Sequence, residues 1–464
     1  MAISKDQLIA DVAFIFEECA RLNAMVKDGR FADLPREDAF CDLPHPTHNW
    51  PNGKMMCSRA GFGKLEGITR VALERKKLQR LVSIEPARKV MAEVLVRKFV
   101  REGRPIEIKH IDRAISETAR RVAATTSDLT HYVPCHLMLS QQPSTFQLGP
   151  VRFLSRATFR KKLADLIIAN RVIDRKLNRR VIFDAVRYFK TFGWVAEITV
   201  TGCDKDVSES TATKAVFAAL NCLHVLFGAQ HSKKMTVGGP GIGYDKRGGF
   251  STNEVGELSY RASYGGPGEV GFNDDWFNLF SDEEARSAIN GLGIALEAAA
   301  NPALQRPISD RFLDAAQWYG EAVRETSQGA KAVKYVTALE RMVMTDEKDD
   351  IAAMVSSRVA ALCLNEPTTE NREKWSNDTK RAYDIRSKLV HGSLSPTSDL
   401  VYEGVGLGAD IGRSALLKSL SLIGADGLRA EAVSNKQLSR WYNEMVAQTD
   451  RMIENAAMGP PQLP

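Results

Sequence analysis

Cysteine is scarce in this chain, and long apolar runs are missing. The seven cysteines among 464 residues are scattered and odd in number, which fits reduced thiols better than a disulfide framework. The longest apolar run, about 15 residues from Ala215 to Ala229, is interrupted by Asn221 and His224, whereas a membrane-spanning helix needs about 20. The N-terminus lacks the basic and apolar regions of an export signal. We therefore expect a cytoplasmic protein with no membrane partner.

The motifs of two common enzyme classes are also absent. The glycine-rich stretch Gly238–Gly243 is not followed by Gly-Lys-Ser/Thr, and Pro240 removes one N–H donor that a phosphate-binding loop needs. No G-x-S-x-G sequence marks a nucleophile elbow. The sequence thus gives no support to an ATPase or to an acyl-transfer hydrolase.

The composition is that of a folded protein with more than one domain. Apolar residues make up 44% of the chain and charged residues 26%, and the length is about three times that of a typical ~150-residue domain. The net charge of +6 permits a nucleic-acid partner without requiring one.

Apolar periodicity predicts a mainly α protein with an α+β N-terminal and middle region. Residues 1–130 are predicted to be mostly helical. Residues 131–280 are predicted to form an α+β region, with strands near 146–153 and 195–200 and a glycine-rich loop or linker at its end. Residues 281–464 are predicted to form an all-α bundle of five to seven helices, including segments over 369–390, 414–422 and 435–456.

The strongest chemical signal lies at the end of the predicted helix over 369–390, which reads Tyr383-Asp-Ile-Arg386-Ser-Lys-Leu-Val-His391-Gly392. Two segments precede it, Thr337-Ala-Leu-Glu-Arg-Met342 and Ser357-Arg-Val-Ala-Ala-Leu362. On these residues the stretch 285–455 resembles the HEPN superfamily, and more closely its ApeA-like branch, whose ribonucleases carry an Arg followed after four to six residues by a His. The resemblance implies a HEPN-type helical bundle, a homodimer with two Arg and two His in one cleft, and endoribonuclease activity in prokaryotic antiviral defence against phage.

The residue types fit RNA cleavage without a metal or another cofactor. An imidazole, with an unperturbed pKa of about 6.5, can move a proton near neutral pH, which we assign to His391. A guanidinium can meet the charge that grows on phosphoryl oxygens in bidentate fashion, which we assign to Arg386. Glu340 is expected to hold Arg386 by an ion pair between helices, and Lys388 is a second supporting candidate.

Helix geometry limits this interpretation. In an unbroken helix Arg386 and His391 lie about 140° apart, so we expect the helix to end at Gly392 and Arg386 to reach toward His391. The alternative is a purely structural helix C-terminus, where a cation and an imidazole favour the helix dipole. Ser387 departs from many nucleases of the family, which carry Asn, Asp or His directly after the Arg.

Two further groups of residues are weaker candidates for binding sites. Residues 152–190 carry 12 Lys or Arg against three Asp, with aromatic residues between them, and predict RNA binding through Arg175, Lys176, Arg179 and Arg180. The alternative there is a solvated helix face above an aromatic core. Cys41, His45, His48 and Cys57 offer four zinc ligands whose spacing matches no established motif, and ordinary loop residues are the alternative.

The sequence therefore predicts a cytoplasmic, metal-independent HEPN endoribonuclease that binds RNA as a homodimer. The rival hypothesis is a non-catalytic HEPN module that dimerises and binds RNA. A third, a zinc-dependent nucleic-acid sensor, depends on the Cys and His set.

Overall fold

The chain folds into two compact units. The structure is a computed structural model that describes residues 3–30, 41–44, 54–169, 183, 186–238, 245–252, 258–265, 274–280 and 282–458. Unit 1 comprises Met1–Leu129 with Val200–Ser210, and unit 2 comprises Thr130–Thr199 with Thr211–Pro464. The described residues are mainly helical and include a five-stranded antiparallel sheet, which confirms the predicted fold class at this level. The predicted boundary near 280 falls inside unit 2.

Unit 1 is a helical unit with two apolar core clusters. Its elements are α1 Lys5–Lys27, β1 Cys41–Pro44, β2 Lys54–Cys57, α2 Arg59–Arg75, α3 Ile84–Leu95, the π-helical segment Val96–Arg101 and α4 Ile108–Ala123. The strands β1 and β2 pair antiparallel. Apolar residues recur at helical spacing in α4, so that Ile111, Ile115 and Val122 are buried while its charged residues lie on the opposite face.

A five-stranded sheet follows, in the order β4-β5-β6-β3-β7. Its strands are β3 Ser127–His136, β4 Thr145–Leu148, β5 Val151–Ser155, β6 Trp194–Cys203 and β7 Thr236–Val237. The predicted strand segments thus lie in β4, β5 and β6. The turn between β4 and β5 needs Gly149, because its φ is 55° and a Cβ there would lie 2.6 Å from the carbonyl oxygen of Gly293.

Other elements lie along the chain between the sheet strands or between the sheet and the C-terminal helices. They are α5 Arg156–Ala169, α6 Lys205–Phe227, α7 Ala229–Ser232, the antiparallel pair β8 Asp245–Thr252 and β9 Leu258–Gly265, and a 3₁₀ helix over Asp274–Phe280. The predicted glycine-rich loop or linker lies only partly within the described residues, and its described parts form β7, the pair β8 and β9 and the start of the 3₁₀ helix, so the prediction of a loop is wrong there.

Among the described helices, α6 is the one that is long and apolar enough to cross a membrane by length and composition, yet 67% of its most apolar window is buried. Its last carbonyls, of Val225 and Leu226, accept hydrogen bonds from Arg413 at 3.1 and 2.8 Å. The side chain of Asn221 accepts another from Arg324 at 3.0 Å. These contacts are typical of a buried core helix, in which polar groups near the helix end must find partners.

Seven helices form the rest of the chain as far as Met458. They are α8 Glu283–Ala300, α9 Pro307–Arg324, α10 Gln328–Val343, α11 Ile351–Cys363, α12 Thr369–Val390, α13 Asp399–Arg429 and α14 Asn435–Met458. The number lies within the predicted range of five to seven when α13, which Gly424 interrupts with φ 67°, is counted as one helix. Helix α13 differs from the sequence prediction, because it begins at Asp399, well before the predicted segment over 414–422.

Glycine explains why the first half of α13 was not predicted as a helix. Gly404, Gly408 and Gly412 recur every four residues, so they form one stripe along α13. A Cβ at Gly404 would lie 2.8 Å from Cγ2 of Ile385, and a Cβ at Gly408 would lie 2.8 Å from Cβ of Tyr335. Glycine lowers helix propensity, but here it lets α12 and α10 pack closely against α13.

Gly408→Ala should therefore destabilise the protein, whereas Gly406→Ala, two residues away, should stabilise it. The Cβ of an alanine at 408 would lie 2.8 Å from the Cβ of Tyr335, which cannot move unless the backbone moves too. Such overpacking costs about 1–3 kcal/mol. Nothing lies within 4 Å of a Cβ at Gly406, so that variant gains only the helix propensity of about 1 kcal/mol. Thermal unfolding of both variants tests this; equal shifts in Tm would contradict the packing argument.

Candidate active site

A glycine defines the end of α12. Gly392 follows the helix with φ 75°, in the left-handed region that glycine tolerates best. The N–H of Ser393 donates to the carbonyl of Lys388 at 2.9 Å, and the N–H of Gly392 donates to the carbonyl of Leu389 at 3.2 Å. These are the two hydrogen bonds of a Schellman motif. The helix therefore ends where the sequence predicts, and His391 is its exposed C-cap residue.

Arg386 lies five residues earlier and is held by two neighbours. Its Nη2 donates to Oε2 of Glu340 on α10 at 3.2 Å, so the expected ion pair between helices is present. Its guanidinium carbon lies 5.6 Å from the ring centroid of Tyr383, one turn back on α12, within cation–π range. The Arg386 side chain is 23% exposed and that of Glu340 is 19% exposed, so the pair is only partly screened by water.

Tyr383 belongs to the same cluster. Burial raises the pKa of its hydroxyl, and the negative charge of Glu340 raises it further, while the charge of Arg386 acts in the opposite direction. The hydroxyl therefore stays protonated at neutral pH, and the ring covers one side of the guanidinium.

The contacts of Arg386 limit how it can hold a ligand. Nη2 is engaged with Glu340, and Nε is buried with no hydrogen-bond partner in the part of the chain that the structure describes. Nη1 is the remaining nitrogen. Nη2 carries a second N–H and Nη1 carries two, so the expected bidentate grip on a phosphate does not require the side chain to leave Glu340.

The structure does not bring Arg386 and His391 into contact. No hydrogen bond or ion pair joins the two side chains in the described ranges, and Arg386 reaches toward α10 rather than toward the helix end. Since residues up to Val390 are helical, the rotation of about 100° per residue separates the two positions by about 140° around the axis and about 7.5 Å along it. The expectation that Arg386 reaches toward His391 is wrong for one copy of the chain.

Lys388 is engaged elsewhere. Its Nζ donates to Oδ2 of Asp384 at 2.6 Å, in an exposed i,i+4 pair on another face of α12. The cations of Arg386 and Lys388 are thus each balanced by one carboxylate, and the negative end of the helix dipole lies at His391. One copy of this helix end offers little net positive charge to a phosphate.

The other predicted site residues lie mostly outside the described residues. These are the RNA-binding candidates Arg175, Lys176, Arg179 and Arg180, and the zinc candidates His45 and His48. Cys57 is buried, and a hydrogen bond with its thiol raises the pKa of Cys19 well above its ordinary value. In the ranges that the structure describes, no group of three or more His, Cys, Asp or Glu side chains could hold a metal ion.

A second polar cluster, around Arg358 on α11, was not predicted. Its guanidinium donates to the carbonyl of Val343 at 2.8 Å and to Oε1 of Glu347 at 2.7 Å. It also donates to Ser439 and Asn443 of α14 and lies over the ring of Tyr442. The signal was visible in the sequence, because Arg358 is the one charged residue of the apolar helix Ile351–Cys363.

We assign this cluster a structural role in the helical bundle rather than a role in a reaction. Burial alone would raise the pKa of Glu347, but hydrogen bonds from Arg358 and Thr345 lower it well below its usual range. The guanidinium is almost fully buried, so it joins α11, α14 and the segment after α10 without reaching solvent.

Comparisons of the chain with models of protein families, with curated proteins and with solved structures found no match. The HEPN resemblance therefore depends on the motif residues and their order along the chain.

Proposed function

We propose that this protein is a metal-independent endoribonuclease of the HEPN type, with Arg386 and His391 as the catalytic residues. One observation carries the proposal. The same helix holds a guanidinium against Glu340 and Tyr383 and ends five residues later at an exposed imidazole. These two groups are the ones that metal-independent RNA cleavage needs.

The reaction follows from the chemistry of these groups. The 2′-oxygen of the RNA attacks the adjacent phosphorus and the bond from phosphorus to the 5′-oxygen breaks, leaving a 2′,3′-cyclic phosphate and a 5′-hydroxyl. A neutral imidazole accepts the proton of the 2′-hydroxyl, or a protonated one donates a proton to the leaving 5′-oxygen. The guanidinium stabilises the charge that grows on the phosphoryl oxygens.

Pairing of two copies of the chain would bring arginine and histidine side chains into one cleft, which a single copy does not do. Within one chain the two residues occupy different faces of α12, and carboxylates balance the nearby cations. A homodimer through the helical bundle, which the HEPN resemblance implies, places two Arg and two His in one cleft. One imidazole then acts as base and the other as acid. The same resemblance implies a role in antiviral defence in a prokaryotic cytoplasm.

The second candidate function is a non-catalytic HEPN module that dimerises and binds RNA. The engagement of Arg386 by Glu340 favours it, because an arginine held in an ion pair and away from His391 can be purely structural. In that case Arg386 and His391 matter for the bundle and for RNA affinity and not for a reaction.

Cleavage of total RNA and tRNA by the purified protein in excess EDTA tests the proposal. We expect cleavage to persist in EDTA, and to fall by about 100- to 10,000-fold in Arg386→Ala and in His391→Ala, since each removes one group from the transition state. Arg381→Ala is the matched control, because Arg381 is an exposed residue of the same helix paired with Glu403.

Three outcomes have distinct meanings. Cleavage that EDTA abolishes would contradict the metal-independent mechanism. Cleavage that both alanine variants retain would remove these residues from the reaction. If neither the purified protein nor the protein in lysate of phage-infected cells cleaves RNA, but the protein dimerises and binds RNA, the second candidate function stands.

A further inference from the structure

One of the two strongly basic stretches of this chain lies in unit 1. Residues 59–125, from α2 to just beyond α4, contain 17 Lys or Arg and eight Asp or Glu, a net charge of +9, whereas the whole chain carries +6. Residues 152–190 carry the same net charge of +9, and the acidic residues lie mainly outside these two stretches. A net charge of +9 within 67 residues attracts polyanions to this part of the surface.

The carboxylates of this stretch do not neutralise its cations one for one. Two of them are each shared by two cations: Glu66 pairs with Arg70 and Arg88, and Glu117 pairs with Arg97 and Lys98. One negative charge balances only one of two positive charges, so each shared carboxylate leaves a net charge of +1 on the surface.

One of these shared carboxylates lies in a concavity with further cations. The concavity has a volume of about 450 Å³ and is lined by Lys98, Asp112, Arg113, Ser116, Glu117 and Arg120. Asp112 is already paired with Arg75 from α2. Arg113 and Arg120 are exposed and have no ion pair or hydrogen bond among the residues that the structure describes. The surface therefore presents two guanidinium groups with their donors unused.

The geometry of α4 gives these two arginines a regular spacing. They are seven residues apart, so they lie on one face of the helix with about 10.5 Å of axial rise between them. Successive phosphates of one nucleic-acid strand advance about 3.4 Å along the helix axis, so three steps cover nearly the same length. Lys98 adds a third cation from the π-helical segment, a local geometry that is frequent at functional sites.

We infer that this concavity, called here the α4 basic face, binds the phosphodiester backbone of a nucleic acid through Arg113 and Arg120. Guanidinium groups with free donors match phosphate oxygens, and the repeat along α4 matches a polymer with regularly spaced charges better than a protein surface without such a repeat. The binding is independent of base sequence, because contacts to phosphate oxygens carry no sequence information. This inference goes beyond the proposed reaction, since it holds or fails whether or not Arg386 and His391 cleave RNA.

The test is the salt dependence of binding, measured by fluorescence anisotropy with the full chain. The probes are a 20-nucleotide RNA, the DNA of the same sequence and the corresponding DNA duplex, in EDTA and in the His391→Ala background so that RNA is not cut. Each phosphate contact contributes about 0.7 to the slope of log affinity against log salt for a single strand. Arg113→Gln/Arg120→Gln should thus reduce the slope by about 1.4 and the affinity by about 25-fold at 0.1 M salt.

A matched control separates this site from a general charge effect. Lys5→Gln/Lys27→Gln removes the same charge from exposed positions of α1, outside the concavity, and should keep the slope. The single variants Arg113→Gln and Arg120→Gln should each lose about half of the effect, which keeps the test valid if the double variant does not fold. The RNA, DNA and duplex arms show which nucleic acid is bound best.

Several results would overturn the inference. One is the absence of binding to all three probes. Another is an equal loss of slope in the α1 control. A third is displacement of the RNA by a polyglutamate peptide of equal charge and concentration, which would indicate an acidic protein partner.

Discussion

Arg386→Lys is expected to lower the rate constant of RNA cleavage by about 100- to 1,000-fold, although it keeps the positive charge. The reason lies in the shape of the group. A guanidinium can donate to Glu340 through one nitrogen while another contacts a phosphoryl oxygen, and its plane can lie against the ring of Tyr383. An ammonium is a single point with a full hydration shell, so it pairs with Glu340 or with the phosphate but holds neither in a fixed direction.

Single-turnover cleavage of a labelled RNA, with the affinity measured separately, tests this expectation. The affinity should change little, because the charge is conserved, and the loss should appear in the chemical step. Arg381→Lys makes the same substitution on an exposed face of α12 and should leave the rate unchanged. If Arg386→Lys retains more than about a tenth of the rate, the planar group is not the stabiliser of the phosphoryl charge, and a simple cation at this position is enough.

Much of the fold could be predicted because local patterns decide it. Apolar residues at spacings of three and four placed α1, α4 and most of the C-terminal helices, and short β-branched segments placed β4 to β6. The start of α13 could not be predicted. Its glycines lower helix propensity, and the compensation comes from Ile385 and Tyr335, which lie on helices distant in sequence.

The site was predictable to a similar extent. The motif identified Arg386, His391 and the end of the helix at Gly392, since a glycine after a helical run is a strong local signal. Glu340 was predictable as an ion-pair partner because Arg386 needs one on a half-buried face. Which nitrogen of Arg386 donates to Glu340 was not predictable. Which donor of a guanidinium is occupied depends on the packing of α10 against α12, two helices that are distant in sequence.

Arg358 illustrates a signal that sequence analysis can find but cannot interpret. A single charge in an apolar helix must either face solvent or meet partners inside the protein. The sequence cannot decide between these outcomes, because the partners Glu347, Ser439 and Asn443 come from two other segments of the bundle. Only the tertiary structure assigns Arg358 to the second case.

Arg358→Ala should accordingly be the most destabilising single substitution considered, with a loss of about 3–5 kcal/mol in the free energy of unfolding. The variant leaves the largely buried carboxylate of Glu347 without its cation, removes the donor for the carbonyl of Val343 and opens a cavity beside Tyr442. Urea unfolding followed by tryptophan fluorescence measures this loss of stability, since five of the six tryptophans lie in unit 2.

Two comparisons distinguish the loss of a buried charge pair from a general loss of packing. Arg358→Met/Glu347→Gln removes both charges and keeps most of the volume, so it should be more stable than Arg358→Ala. The pH dependence has a defined sign. Because the pKa of Glu347 is lower in the folded state than in the unfolded chain, the pair stabilises the fold above the ordinary carboxyl pKa of about 4.3, and this contribution disappears as the pH falls further. The difference in stability between wild type and Arg358→Ala should therefore be smaller at pH 3.5 than at pH 7. A difference that is the same at both pH values would assign the loss to the cavity and not to the charge.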